Sequence, residues 1–500
     1  MRQSSIFHGS VFLTYRYGEI QQMQGSNRIG SVFLTSALTD RNPFISTTGC
    51  REWLEEQRSQ THVEVQQIPF SALDQWHFLE DTGNLAHRTG KFYSIEGIDV
   101  RTNYGDRQHW MQPIINQPEI GILGILAKDF HGVLHFLMQA KIEPGNINKV
   151  QLSPTVQATR SNYTRVHQGQ GTKYLEYFTD KSKATVLVDQ LQSEQGARFL
   201  KKRNRNMIVQ TNEEVFLHQG FQWLTLGQIR RLMTQDNLVN MDTRTVVSGI
   251  PYGSFGTDAL DFYNRFAPDK DLVDNYQADM LVSALDEQRS MNSLDDVIHW
   301  VTRNKSTYDL DVQRVPLNSV EEWERTDMDI HHISGRYFSI RAFSIEIGNR
   351  EVTRWTQPLF CAAQEGLIAF LVKKIDGVFH FLVQAKLEAG NFDVIEMAPT
   401  VQCLTGNYRQ TDRSKWPRFL ETALECDQAA IRYNVLQSEE GGRFYHEQNR
   451  NMIIEVESRF STQVPDSFIW MTGHQLKDFI RYNNYLNIQA RSLLACGGLL

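Results

Sequence analysis

Two neighbouring stretches show the hydrophobic pattern of the chain most clearly. Residues 121–128, GILGILAK, run apolar, and residues 133–143, VLHFLMQAKIE, run apolar and then alternate with polar positions. Both are rich in Val, Ile, Leu and Phe and are bounded by Gly or Asp, which predicts strands. Asp129-Phe-His-Gly132 between them predicts a hairpin turn, and Ile375-Asp376-Gly377 repeats the signal with the favoured Asp-Gly pair. ARFLKKRNR (197–205) and LTLGQIRRLM (224–233) place apolar residues three and four apart, which predicts helices. The expected class is α+β, mostly antiparallel strands with a few helices.

The pattern occurs twice. Residues 133–157 and 378–402 share 14 of 25 positions at a constant offset of 245. At the same offset GKFYSI (90–95) meets GRYFSI (335–340), LQSEQGARF (191–199) meets LQSEEGGRF (436–444), and NRNMI recurs at 204–208 and 449–453. Trp76 and Trp323, like Trp223 and Trp470, match after a slip of two. So long a unit is a duplicated domain and not a solenoid repeat. The expected division is an N-terminal arm at 1–46, packing on the other copy, then a first repeat at 47–240. A Gly- and Pro-containing connector at 241–289, a second repeat at 290–490 and a tail at 491–500 complete it.

Bulk properties narrow the function classes. Five hundred residues are too many for one hydrophobic core. A net charge of -7 argues against a nucleic-acid partner. The N-terminus lacks the marks of a signal peptide, and no stretch holds the roughly 18 consecutive apolar residues of a membrane span. Five scattered cysteines without a CxxC pair fit a reducing compartment and no metal-ligand spacing, so the expectation is cytoplasmic. Phosphate-loop, dinucleotide-fold, nucleophile-elbow and zincin signatures are missing.

The repeated polar positions carry the candidate chemistry. Gln139, Lys141 and Glu143 share one face of a strand, as do Gln384, Lys386 and Glu388, and either meet water or line a pocket. Thr159-Arg160-Ser161-Asn162-Tyr163 follows the Pro-Thr-Val-Gln motif, against Leu404-Thr405-Gly406-Asn407-Tyr408 in the second copy. Asn and Tyr suit hydrogen bonds to a sugar or base, and Arg160 suits a diphosphate. Arg160 and Ser161 have no counterpart, the sharpest asymmetry at these polar sites. Ser193 and Ser438 read as helix N-caps whose free N–H groups suit phosphate. Arg198, Arg205, Arg443, Arg450, Asn204, Asn206, Asn449 and Asn451 crowd the following turns, as pocket or as solvated face. His87 and His332 read as structural or catalytic, Trp76 and Trp323 as core or as platforms for a flat base.

HFLMQAKIEPGN, QLSPTVQATRSNY, LQSEQGARF and NRNM, with their second-copy partners HFLVQAKLEAGN, EMAPTVQ and LQSEEGGRFYHEQNRNM, resemble the NDP-hexose 2,3-dehydratases of deoxysugar and antibiotic biosynthesis. The resemblance covers residues 45–490. It implies two Nudix-like domains with mixed or antiparallel sheets flanked by helices, a homodimer, and a dTDP-sugar pocket in each half with one catalytic. It also implies a cofactor-free dehydration of an NDP-4-keto-6-deoxyhexose to a 3,4-diketo-2,6-dideoxy sugar, passed to an NAD(P)H-dependent 3-ketoreductase. The Nudix metal box is not kept, so no metal site is expected. The implied nucleotide-sugar contacts are Trp76, Trp323, Thr159–Tyr163, Leu404–Tyr408, Ser193, Ser438, Arg198, Arg443, Asn449 and Arg450. Tyr163, His87, Lys141 and Glu143 lead the catalytic candidates, with Tyr408, His332, Glu388 and Lys386 behind them, and the first-copy loop is expected to serve the working pocket. The competing readings are a metal-dependent nucleotide-sugar hydrolase and a non-catalytic sugar-nucleotide binder.

Overall fold

The computed structural model describes residues 26–159, 171–253, 275–348, 353–408 and 411–498. Among them each copy contributes twelve strands in the same order. The first supplies β1 (Val63–Ile68), β2 (Trp76–Phe78), β3 (Leu85–His87), β4 (Ser94–Thr102), β5 (His109–Asn116), β6 (Gly121–Phe130), β7 (Val133–Ile142), β8 (Val150–Ser153), β9 (Val156–Ala158), β10 (Thr185–Ser193), β11 (Arg203–Gln210) and β12 (Phe221–Leu224). The second supplies β13 (Leu310–Val315), β14 (Trp323–Arg325), β15 (Asp329–His332), β16 (Phe338–Ile347), β17 (Arg354–Ala362), β18 (Gly366–Ile375), β19 (Val378–Lys386), β20 (Glu396–Ala398), β21 (Val401–Leu404), β22 (Ile431–Ser438), β23 (Gln448–Glu455) and β24 (Phe468–Thr472). The architecture is mixed α+β and duplicated. Both expected hairpins form, β6–β7 and β18–β19.

Each copy builds a seven-stranded sheet from its own strands, β10-β11-β6-β7-β12 with β8 and β9 attached in the first. Its central strand forks. β11 runs parallel to β6 on one side. On the other side β9 pairs with Ile122–Gly124, and β7 takes over at Leu126–Phe130. Thr155 pins the fork: its hydroxyl accepts the Leu126 N–H at 2.8 Å and donates to the Leu137 carbonyl. Thr400 does the same between Leu371 and Leu382. The repeated Pro-Thr-Val-Gln motif thus holds a splayed sheet open where two strands would otherwise leave buried backbone groups unpaired.

The smaller sheets exchange strands between copies. β1 of the first copy pairs with β16 of the second, Val63 opposite Ile347 and Ile68 opposite Ala342. β13 of the second pairs with β4 of the first, Leu310 opposite Thr102. A second interlock follows from the EPGN and EAGN motifs. Gly145 N–H donates to Gly441 C=O at 2.7 Å, and Gly390 N–H to Gly196 C=O at 2.6 Å. A β-carbon at Gly145 would sit 1.7 Å from the Phe444 carbonyl oxygen, and one at Gly390 1.8 Å from that of Phe199. Only glycine permits so close a backbone approach.

Between the large sheets lie two helices, Met241–Ser248 and Ile488–Cys496, buried along their whole length. Each carries one arginine that reaches into the other copy. Arg244 donates to the Ser438 carbonyl at 2.6 Å, and Arg491 to the Ser193 carbonyl at 2.6 Å. One apolar cluster takes in Ile125 and Phe136 of the first copy with Phe370 and Ile453 of the second, so the halves share a core.

Three expectations are corrected here. ARFLKKRNR is a turn leading into β11 and not a helix, because its backbone is taken up by Ile115, whose N–H donates to Arg198 C=O and whose C=O accepts from Leu200 N–H, and then from Arg203 by β10. LTLGQIRRLM does contain a helix, Leu226–Leu232. The arm's helix Ser26–Ala37 packs on its own copy, with Ser36 Oγ donating to Leu134 C=O, as Ser283 of helix Asn275–Leu285 donates to Phe379 in the second. The stretch 241–289 is therefore no plain connector, since both of its described helices belong to the repeats.

Candidate active site

The fork and the interlock enclose a cavity of about 1060 Å³ in the first copy, as large as small-molecule sites commonly are. Its exposed side is formed by Asp74, Gln75, Thr89, Lys173 and Arg354, with Trp76, His87, Phe92 and Trp355 alongside. Its enclosed side carries Lys141 and Glu143 from the splayed end of β7, Gln157 and Thr159 from β9 and beyond, Glu194 after β10, Lys202, and Asp242 from the buried helix. The second copy adds Gln357 from β17 and Glu440, Gly442 and Arg443 from the loop after β22.

Neighbouring contacts fix these groups. Lys141 Nζ lies 3.2 Å from Glu143 Oε1, while Glu143 Oε2 is buried without a hydrogen-bond partner among the described residues. Asn204 uses both ends of its amide, accepting from Gly121 N–H and donating to Glu194 Oε1 at 2.7 Å. Gln157 donates to Asp242. Arg443 stacks 4.3 Å from the Tyr93 ring and reaches Gln117 Oε1. Gln357 donates to Gly442 C=O at 3.0 Å and accepts from Trp355 Nε1.

Low dielectric and crowded carboxyls shift the titration of the site. Burial, reinforced by Glu143 and Glu194, pushes Glu440 up to about 7 against the pull of Arg443. Asp242 rises well above the usual carboxylate range by burial and by the same acidic neighbours, Glu440 among them. Burial also raises Glu194 and lowers Lys202 to about 8.

Of the expected residues, Trp76, His87, Lys141, Glu143, Thr159, Asn204 and Arg443 line this cavity. Arg160, Ser161, Asn162 and Tyr163 lie outside the described residues. Ser193 and Ser438 are not N-caps. They end strands, and their hydroxyls are buried against Glu396 and Gln151. Arg198 is buried over the Phe338 ring at 4.2 Å, on the second-copy side of the interlock. Trp323 donates its indole N–H to Met111 C=O, and buried His332 pairs with Ser334. In the loop Leu404–Tyr408, Asn407 accepts from Gln364 and Tyr408 C=O accepts from the Trp416 indole. Asn449 holds Gly366 N–H and Glu439, whereas Arg450 points outward to Glu365 and Asn434. None of these lines the first-copy cavity.

Sequence reasoning missed Tyr93, Glu119, Lys202, Asp242, Trp355 and Glu440. The signal lay in the repeat itself. At the equivalent second-copy positions stand Phe338, Gln364, Glu447 and Gln489 for Tyr93, Glu119, Lys202 and Asp242, and Gln195 stands for Glu440. Groups able to exchange protons or carry charge in this cavity are neutralised or reversed at the equivalent positions of the repeat. Gln402, lacking an acidic partner like Asp242, turns to Glu388 instead, donating at 2.9 Å.

The sequence profile described as NDP-hexose 2,3-dehydratase matches residues 47–250 and 294–496. The chain belongs to that family. It is similar to the dTDP-4-dehydro-6-deoxy-alpha-D-glucopyranose 2,3-dehydratase of Saccharopolyspora spinosa, 47% identical over 463 residues and covering 93% of each chain. It is 43% identical to the enzyme of that name from Amycolatopsis orientalis, again over 93% of each. With the one from Streptomyces violaceoruber it shares 41%, over 90% of this chain and 96% of the relative. The matched regions contain every residue named above as lining the cavity.

Proposed function

We propose that the protein removes water across C2 and C3 of dTDP-4-dehydro-6-deoxyglucose, and that it does so in the first-copy cavity. The observation that carries this reading is that Tyr93, Lys202, Asp242 and Glu440 line that cavity, whereas the equivalent positions of the repeat hold Phe338, Glu447, Gln489 and Gln195. The substrate's C4 ketone acidifies the C3 proton, so the reaction needs a base, an acid and a donor for the enolate oxygen. Glu143, ion-paired and with one oxygen unpartnered, is the base of this proposal, and Lys141 beside it steadies the enolate. His87, tied to Thr89 near the exposed side, serves binding rather than proton transfer. Trp76, Thr159, Trp355 and Arg443 contribute to holding the nucleotide sugar, together with Arg160, Ser161, Asn162 and Tyr163.

The wider reading follows the resemblance. Each half is taken as Nudix-like, for which the mixed sheet with its parallel β6–β11 pair speaks. The enzyme is taken as a cytoplasmic homodimer, with five free thiols suited to a reducing compartment. Its labile diketo product then goes to a 3-ketoreductase. The hydrolase reading is disfavoured by the missing Nudix metal box. Among the described residues, the groups of three that bring ligand atoms within 4.8 Å reduce to His62, Glu64 and Glu346, outside the cavity.

The test incubates the chain with dTDP-4-dehydro-6-deoxyglucose without NAD(P)H, with and without EDTA. We expect substrate loss that EDTA leaves unchanged, release of dTDP as the product decays, and, in a parallel sample given a 3-ketoreductase together with NAD(P)H, trapping of a 2-deoxy sugar. Magnesium-dependent release of a nucleoside monophosphate would replace this reading with hydrolysis, and unchanged substrate would replace it with binding alone.

A further inference from the structure

We infer that Glu440, carried into the first cavity by the second copy, is the acid that protonates the departing C2 hydroxyl. The inference rests on the dehydratase reading above and adds what the second copy contributes to it.

The first copy grips the loop that bears Glu440 at both ends. Arg244 holds the Ser438 carbonyl two residues before it. Gly145 N–H holds the Gly441 carbonyl just after it. A β-carbon on Gly442 would lie 2.3 Å from Glu440 Oε1 and 3.8 Å from Glu143 Oε1, so the two carboxyls share the space this glycine leaves open. Adjacent carboxyls in a low-dielectric pocket do not both ionise readily. Lys141 Nζ lies 3.2 Å from Glu143 Oε1, while Glu440 faces Arg443, Glu143, Glu194 and Lys141, and its burial outweighs the pull of the two cations. Glu440 keeps its proton up to about pH 7 through burial and the charge beside it. Gln195, the equivalent in the second copy, has no acidic proton to give.

The step balances between these two groups. Glu143 takes the C3 proton, and the C–H pair becomes the C3=C4 bond of the enolate. When the C4 carbonyl re-forms, that pair becomes C2=C3. The C2–O bond breaks in the same movement, and the hydroxyl leaves as water with the Glu440 proton. The resulting enol tautomerises to the 3,4-diketone. Glu143 ends protonated and Glu440 ionised, and one proton transfer between these neighbours resets the site.

The experiment follows two signals in D2O by NMR, deuterium entry at C3 of unreacted dTDP-4-dehydro-6-deoxyglucose and loss of the C2 hydroxyl. Wild type is expected to show both. Glu440→Gln is expected to keep C3 exchange within a few-fold while elimination falls by about 100-fold or more. Glu143→Gln is expected to lose both. The inference is overturned if Glu440→Gln eliminates at near wild-type rate, or loses exchange together with elimination while still binding dTDP. Should that variant not fold, wild type decides: elimination must decline above pH about 7 as Glu440 ionises, while exchange continues. Elimination that stays level to pH about 9 overturns the assignment. A wild type that neither exchanges nor eliminates sinks the dehydratase reading itself, which separates the two failures.

Discussion

Gly145→Ala tests whether the interlock between copies sets the chemistry. The added methyl would stand 1.7 Å from the Phe444 carbonyl oxygen, where ordinary contact requires about twice that. The backbones must part by more than an ångström, at the expense of the Gly145–Gly441 bond and the His446–Gly145 bond of 2.8 Å. Two buried hydrogen bonds and the strain of separation cost about 2–5 kcal/mol. The loop that moves carries Glu440, and a displacement of about 1 Å in a reacting group lowers turnover by about 100-fold. Gly390→Ala is the matched control, with a clash of 1.8 Å at the mirror-related contact. Its loop delivers Gln195 to the second copy and brings Glu194 and Lys202, but neither of the proposed acid and base, to the first cavity, so it should destabilise alike while retaining more activity. The assay pairs thermal unfolding of both variants with turnover of dTDP-4-dehydro-6-deoxyglucose, corrected for the folded fraction. Equal loss of activity in the two variants, or a Gly145→Ala melting point equal to wild type, would refute the reasoning.

Other outcomes follow from the same geometry. Thr155→Val leaves Leu126 N–H and Leu137 C=O unpaired at the fork and should cost about 2–4 kcal/mol, with Thr155→Ser close to wild type. Calorimetric melting of the two variants checks this, and equal melting points would remove the pin. Glu396, Glu439 and Glu440 are raised to about 7, 8 and 7 by burial, and Glu194, Glu388, Glu447 and Asp242 rise as well. Folding then takes up protons. The stability these groups provide is complete below the ordinary carboxylate range and is lost as pH rises through their folded values. Lys477 and Lys202, lowered by burial to about 7 and 8, act in the opposite sense from pH about 7 upward. The melting point should therefore fall by a few degrees between pH about 5.5 and 7, and a melting point that rises over this window would contradict it. Trp355→Ala removes an aromatic wall from the cavity, so KM should rise about tenfold with kcat little changed. A fall in kcat alone would place Trp355 at the reaction instead.

What the sequence determined by itself was the duplication, the strands of the two sheet centres, the hairpins and the family. These depend on local periodicity and on motif order, which a one-dimensional pattern retains. Lys141 and Glu143 could be picked out because side chains two apart on a strand share a face whatever the strand packs against. The tertiary structure decided which copy supplies which wall. LQSEQGARF and LQSEEGGRF look alike, yet each sends consecutive residues to different copies: Glu194 lines the first-copy cavity while Gln195 contacts Glu439 of the second. Periodicity cannot reveal that β1 leaves its own copy for β16, since both edges offer the same pattern of apolar and polar positions. Nor can it reveal that Ser193 ends a strand and meets Glu396, because a Ser before glutamate and glycine also fits a helix cap. The substitutions from Lys202 to Glu447 and from Glu440 to Gln195 stood in the aligned repeats from the start. They became informative only once the fold showed which of the many differences face the same cavity.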